Sequence, residues 1–397
     1  MTVTTTDTGS DGSHRLRTTG CDHRVMRRRT FLTTGGALCG ATIAGCSAQQ
    51  VDDDGGAGST DDGGTAGSVD DDDDDTIVVA STEAFVDAPS DSAGPWVKAQ
   101  FEERTGATLE WDVRNQGINY YIERHNEGVG NEAEVYLNVR PHDLVRIDEH
   151  TDGDLFVPVD ESALSNVDDV GEEYYFDPHD RVVPTWLSYC SLVYDGRTVE
   201  NPGSFEALLS EEYRGKFALS NPQEGTTGLL FMLWTINEFG EDGYLEFWND
   251  LLENDARVLD GWSDVYPQFL ADEVPVIVSY SNDRVYAKRA DHDLEKHQVG
   301  FLGGQGYANL LGAARFADGT NDELAHEFVD FVLEPEVQAE VAKRNVTGPV
   351  NEQAEPPAVY SDYAEHPEEI VFFDYDELSG NLSTWLEEWG REVAGGV

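Results

Sequence analysis

The chain has 397 residues, of which 39% are hydrophobic and 10% aromatic, enough to build two ordinary domains or one two-lobed protein. Its 79 acidic and 25 basic residues give a formal net charge of -54, which excludes nucleic acid as a partner, because phosphate binding needs basic surface. The acids are spread through segments that also carry apolar patterns, so they read as the surface of a halophile protein, where dispersed carboxylates hold water and oppose association in strong salt.

The first 75 residues read as address and tether. Arg27, Arg28 and Arg29 precede a Gly-rich apolar run from Phe31 to Gly45. A basic region followed by a short apolar one is an export signal, too short for a normal membrane span. The Arg28-Arg29 pair followed by Thr30-Phe31-Leu32 resembles a twin-arginine signal. The run closes on Ile43-Ala44-Gly45-Cys46, which resembles a lipobox with Cys46 as the lipidated residue. Residues 47–75 are Gly, Ser, Thr and Asp, ending in the aspartate run 70–75; they cannot bury a core and read as an acidic leash. Cys21, Cys39 and Cys46 lie in the leader and Cys190 in the body, so no disulfide framework is expected in the folded part.

Beyond the leash, apolar β-branched composition predicts a strand over 76–80. A helix is expected over 95–105, with Pro95 in its first turn, Val97 and Phe101 on one face and Gly106 as its stop. Strands are expected over 134–139 and 182–194. The pattern continues with a strand over 216–220, a helix over 226–238, a short strand over 257–260, a helix over 263–271 and a strand over 274–280. A helix over 322–333 precedes Pro335, after which helical pattern resumes to Lys343. Strands alternating with helices imply an α/β fold with parallel sheets. Ligands in such folds sit beyond the carboxyl ends of the strands. That rule singles out Ser81-Thr82-Glu83, Arg140, Ser220-Asn221-Pro222, Gly261-Trp262 and Tyr280-Ser281-Asn282-Asp283.

These residues also carry a family likeness. Ser220-Asn221-Pro222, Thr226-Thr227-Gly228 leading to Trp234, Gly261-Trp262-Ser263-Asp264-Val265-Tyr266, and Val278-Ser279-Tyr280 with Tyr286 six residues on resemble the thiamine-binding periplasmic proteins of ABC importers. Phe328-Val329-Asp330-Phe331 with Pro335-Glu336-Val337-Gln338 looks like the C-terminal helix pair of solute-binding proteins, and Thr347 to Asn351 is similar to the family's closing segment. The resemblance implies a two-lobed, type II periplasmic-binding-protein-like α/β fold, with the ligand cleft between lobes joined by crossing strands. The expected division is 76–193 with 284–397 in lobe one and 194–283 in lobe two. It also implies an ABC permease and an ATPase as partners, a monomeric receptor without cofactors, and an extracytoplasmic position, here lipid-anchored on the outer face of the membrane. Carried over, Trp262 and Tyr286 sandwich an aminopyrimidine ring, Tyr280 lies beside the ligand, and Thr226 meets its hydroxyethyl or phosphate end. The candidate ligand-binding set is Trp262, Tyr280, Tyr286, Thr226, Ser220, Asp264, Asp283, Thr82 and Arg140. The chemistry agrees: flat heteroaromatics stack on Trp and Tyr, a thiazolium cation is attracted by an aromatic face, and helix N-termini hold anions.

The chain departs from the family pattern in lobe one. Thr82 stands where the family has tyrosine, Arg140 where it has aspartate, and Trp186-Leu187 where it has Asp-Tyr. A carboxylate favours a cation, whereas an arginine favours carboxylate or phosphate. The ligand is thus thiamine, a thiamine phosphate, a related stacked ring, or an unrelated anion or solute in the same fold. An iron importer of similar fold is the other class, with Tyr280, Tyr286, Tyr120 and Tyr121 as available ligands. An enzyme is not expected: none of the ten histidines sits in a His-Glu-x-x-His spacing, no Gly-x-Ser-x-Gly elbow occurs, and Cys190 lies inside an apolar strand.

Overall fold

The computed structural model describes residues 75–88 and 92–393. The expectations for Arg28, Arg29, Cys46 and the acidic leash lie outside the described residues.

The strands are β1 (Thr76–Ser81), β2 (Thr108–Val113), β3 (Val135–Val139), β4 (Phe156–Val157), β5 (Val182–Tyr194), β6 (Phe217–Ser220), β7 (Arg257–Leu259), β8 (Val276–Tyr280), β9 (Gln298–Gly300), β10 (Gln305–Phe316), β11 (Gly348–Pro349) and β12 (Glu369–Val371). Their pairing runs β2-β1-β3-β10-β5-β8-β6-β7, with β4 and β12 on β10, and β9 and β11 on β5. Pairs β1–β2, β1–β3, β6–β7 and β6–β8 are parallel, as alternation implies. The centre is not: β10 runs antiparallel to β3 and β5, and β5 antiparallel to β8. The sheet is therefore mixed, which corrects the expectation of parallel sheets throughout.

Two long strands join the two halves. β5 pairs with β10 from Val182 to Tyr189, then with β8 from Cys190 to Tyr194. All but its last residue is buried, which is why it reads as one unbroken apolar run. The sequence pattern does not reveal β2, β4, β9, β10, β11 or β12, and β10 is the longest of these unexpected strands. Gly306, Ala308, Gly312, Ala313 and Ala314 give it little β-branched character, yet it touches β3, β5, β4 and β12. Contacts also cross the expected lobe boundaries. β9 pairs with the β8-side end of β5. In the C-terminal helix Leu382–Glu392, Trp389 packs edge-on against Trp248 of helix Tyr244–Glu253 at 5.2 Å, and the Tyr244 hydroxyl donates to the Trp385 carbonyl at 3.0 Å.

Most expected helices form within a residue or two of their predicted ends, among them Gly94–Thr105, Thr226–Phe239, Trp262–Leu270, Asp322–Leu333 and Pro335–Arg344. Gly106 takes a φ of 81°, the left-handed conformation that closes a helix at little cost for glycine. Helix Thr226–Phe239 is buried along most of its length and lies directly on β6. A Cβ at Gly228 would lie 2.7 Å from the Ser220 carbonyl carbon and 2.8 Å from that of Asn221. Backbone cannot yield there as a flexible side chain would, so Gly228→Ala is expected to destabilise the protein by about 1–3 kcal/mol, as overpacking does, read as a lowered thermal midpoint.

Candidate functional site

A cavity of about 580 Å³ opens between the two halves, within the roughly 300–1,000 Å³ of small-molecule sites. From the β1–β3 side it is lined by Thr82, Asn138 and Arg140. From the other half come Thr226, Thr227, Trp262, Tyr266, Ser279, Tyr280, Asp283 and Tyr286, and the crossing strands contribute Ser188, Asn309 and Leu311. Arg289, Arg344 and the segment Asn345–Thr347 complete the rim.

The aromatic wall is built on helix Trp262–Leu270. Trp262 and Tyr266 are four residues apart, so they share a helix face. Their rings stack at 4.6 Å with 23° between planes. The Trp262 Nε1 donates to the Ser279 hydroxyl at 3.0 Å, which fixes the indole. Trp262 remains 40% exposed, so with one face covered by Tyr266 an apolar ring surface is left open at the cavity. Such exposure has a cost that a stacked ligand would remove. Tyr286 meets Tyr266 edge-on at 6.1 Å. Beneath this wall the Tyr266 hydroxyl donates to Asp283 at 2.5 Å, and Asp283 also accepts from His297 Nδ1 at 2.7 Å. Burial, then the Asp283 carboxylate, push the Tyr266 phenol far above its ordinary range, so it stays a donor. Burial also raises the Tyr280 phenol, to about 12, with Arg140 opposing.

Cations stand on the opposite wall, at Arg140, and on the rim, at Arg344 and Arg289. Arg140 opens helix Pro141–His150; its backbone N–H donates to Asp143 at 3.0 Å, while its guanidinium stands 3.9 Å from that carboxylate. Its buried Nε has no hydrogen-bond partner among the described residues. Arg344 pairs with Glu340 at 2.8 Å and lies over Trp96, and Arg289 donates to the carbonyls of Lys343 and Arg344. In a chain of net charge -54, arginines meet at this cavity, with Asp283 as the acid among its described lining residues.

Of the nine expected site residues, Thr82, Arg140, Thr226, Trp262, Tyr280, Asp283 and Tyr286 line the cavity. Ser220 does not: it is fully buried and shares a hydrogen bond with the Thr227 hydroxyl at 2.7 Å, tying β6 to the helix above it. Asp264 does not either: its carboxylate accepts from the Gly261 N–H at 3.2 Å and caps the tryptophan's helix. Tyr120 and Tyr121 lie away from the cavity lining. Tyr121 is buried with its hydroxyl on Asp112 at 2.8 Å, and Tyr120 packs beneath the guanidiniums of Arg114 and Arg124. No group of three or more His, Cys, Asp or Glu side chains placed to hold a metal ion occurs among the described residues. Cys190 is a free, buried thiol whose pKa is raised by burial.

Sequence reasoning gave no site role to Tyr266, Asn138, Ser188 or Asn309. Tyr266 had a usable signal, its i+4 spacing from Trp262. Asn138 takes a φ of 79°, which asparagine tolerates better than most residues. It donates to Ser81 at 3.0 Å and accepts from Trp186 Nε1 at 2.6 Å. Trp186 is thus sequestered, stacked on Phe85 at 5.2 Å, and does not line the cavity.

This arrangement, two α/β halves joined by crossing strands around a ligand-sized cavity, defines the two-lobed type II class of binding proteins. A family model described as bacterial extracellular solute-binding protein matches residues 96–368, and the chain belongs to that family. It is 25% identical over 310 residues to the thiamine-binding periplasmic protein of Escherichia coli (strain K12), covering 76% of this chain and 89% of that one. The protein of the same name from Salmonella typhimurium is 26% identical over 306 residues, covering 76% and 89%. Among solved structures, a periplasmic thiamin binding protein superposes with a TM-score of 0.69 at 24% identity, over 80% of this chain and 96% of that one. The apo ferric ion-binding protein A of Pasteurella haemolytica superposes at 0.64 and 16% identity, over 80% and 97%.

Beside the cavity, His142 faces a space of about 10 Å³ that it shares with Arg140, Asn309, Leu230, Leu233 and Tyr307. Burial, with Arg140 and Arg146 adding and Asp143 opposing, pulls its imidazole from 6.5 to about 4. A depressed base binds its proton less readily folded than unfolded, so its contribution is fully present above pH 6.5 and is lost as pH falls towards 4. His142→Leu is expected to flatten the fall in thermal stability between pH 6.5 and 4, a difference on the order of 2–3 kcal/mol at the acid end.

Proposed function

We propose that the protein captures thiamine or a thiamine phosphate outside the cytoplasm and delivers it to an ABC permease. The observation that carries this reading is the half-exposed Trp262, stacked on Tyr266 and facing the interlobe cavity. A flat heteroaromatic ring stacks on that face for about 0.5–1.5 kcal/mol beyond area burial, and a thiazolium adds about 0.5–2 kcal/mol. The relatives named as thiamine-binding agree with it. Arg140 distinguishes the ligand's form: its partnerless Nε and loosely paired guanidinium suit a phosphate, with the helix N-terminus at Thr226 and Thr227 as a further donor of free N–H groups.

In this reading the ligand enters the open cleft and stacks on Trp262, and the lobes rotate about β5 and β10 to exclude water. Residues 284–300 move with the second lobe, since β9 pairs with β5 beside β8. Arg28-Arg29 would direct export and Cys46 would carry the lipid that keeps the receptor at the membrane. The acidic surface would keep it soluble in strong salt, where exposed ion pairs are screened and stacking is not.

Thiamine and thiamine monophosphate titrated against the protein in molar potassium chloride are expected to quench tryptophan fluorescence saturably at micromolar concentration or below. No response from folded protein to either ligand would remove thiamine. Trp262→Ala is expected to weaken binding about 10–100-fold while the protein stays folded; unchanged binding would move the site elsewhere. Arg140→Gln is expected to lower affinity for the monophosphate by roughly tenfold or more and to leave thiamine affinity nearly unchanged. Equal losses for both would assign Arg140 a structural role.

A further inference from the structure

The crossing strands bring a polar pair to the floor of the cavity. In the antiparallel register of β5 and β10, Asn309 faces Ser188, and both line the cavity. They are 5% and 6% exposed. Asn309 Nδ2 donates to the Ser188 hydroxyl at 3.1 Å. That bond fixes the plane of the amide and leaves its other end, Oδ1, buried with no hydrogen-bond partner among the described residues. A buried, fixed and unpaired acceptor costs free energy, and native interiors keep few of them. Its position in the wall of a ligand-sized cavity gives the acceptor a use, because a ligand N–H brought to it would satisfy it.

We infer that Asn309, oriented by Ser188, is the specificity-determining residue that accepts a hydrogen bond from an amino group on the edge of the ring stacked at Trp262. The inference rests on the stacked-ring reading above and adds to it the identity of the group that is read. Apolar stacking cannot tell an amino group from an oxygen at the ring edge, since both present the same π-face. A site built around a fixed acceptor can, because an analogue with oxygen at that position sets two acceptors against each other. Ser188 is a positioning residue: its hydroxyl accepts from Nδ2 and anchors that end of the amide, and without it the amide is free to turn.

The test compares thiamine, whose pyrimidine carries an exocyclic amino group, with its oxo analogue oxythiamine, on the full-length protein by calorimetry or fluorescence. The unaltered protein is expected to prefer the amino form by roughly 10–100-fold. Asn309→Ala and Ser188→Ala are each expected to reduce that ratio to within about threefold, the first by losing the acceptor and the second by freeing the amide to turn. Asn309→Asp keeps the acceptor and is expected to retain a preference for the amino form. If Asn309→Ala does not fold, Ser188→Ala decides alone. An unchanged ratio in the variants, or no preference in the unaltered protein that nonetheless binds thiamine, overturns this inference and leaves the thiamine reading standing. Failure of the unaltered protein to bind either compound overturns both.

Discussion

The antiparallel pairing of β5 with β10 is the constraint on which the rest depends. Each strand belongs to both halves of the molecule: β5 leaves β10 at Tyr189 and joins β8 at Cys190, and β10 reaches β3 through Gly312 to Arg315. Their shared stretch is buried on both faces, so its backbone groups must be satisfied by each other. That leaves the two halves with a continuous ladder between them and a cavity above it. The polar pair Ser188–Asn309 sits within this ladder, placed by register rather than by any loop. The polar groups of the cavity floor are therefore held by a rigid element.

The second organising feature is the contrast between the two walls. One is aromatic and is stiffened from behind: Trp262 on Tyr266, Tyr266 on Asp283, Asp283 on His297. Every polar group in that chain has a buried partner, so the ring plane is set before any ligand arrives, which lowers the entropy lost on binding. The other wall is cationic in a chain that is otherwise strongly acidic. Arg140 is its loosely paired cation, since Asp143 engages its backbone N–H more closely than its guanidinium. An arginine here gives the first lobe's side of the cavity a positive charge opposite the aromatic wall.

Much of this was legible in the sequence. Helices with a stop residue and a clear face, such as 95–105 with Gly106, emerge within one residue of expectation. Strand β5 was readable because a long apolar run admits few alternatives. The aromatic wall was readable because an exposed tryptophan at the end of a short strand needs cover. The reading failed where composition carries no periodic signal. β10 is rich in glycine and alanine, chosen for close approach rather than strand propensity: at Gly312 a side chain would run into Val182 and the Val183 carbonyl. Ser220 and Asp264 stand beside the cavity in sequence, yet each serves to cap or fasten a helix whose neighbours Thr226, Thr227 and Trp262 line it.

The sequence by itself determined the class of fold and pointed to Trp262 and Arg140 as an aromatic and a cationic residue of the cavity lining, because hydrophobic period, helix punctuation and residue chemistry are local properties. Only the tertiary structure decided that Tyr266 lies under Trp262 with Asp283 and His297 behind it, that Trp186 is withdrawn onto Phe85 and Asn138, and that Asn309 meets Ser188 at the cavity floor. Asn309 and Ser188 are 121 residues apart in the chain. Their meeting depends on strand order and register, which are set by the packing of the whole sheet and leave no trace in the residues on either side.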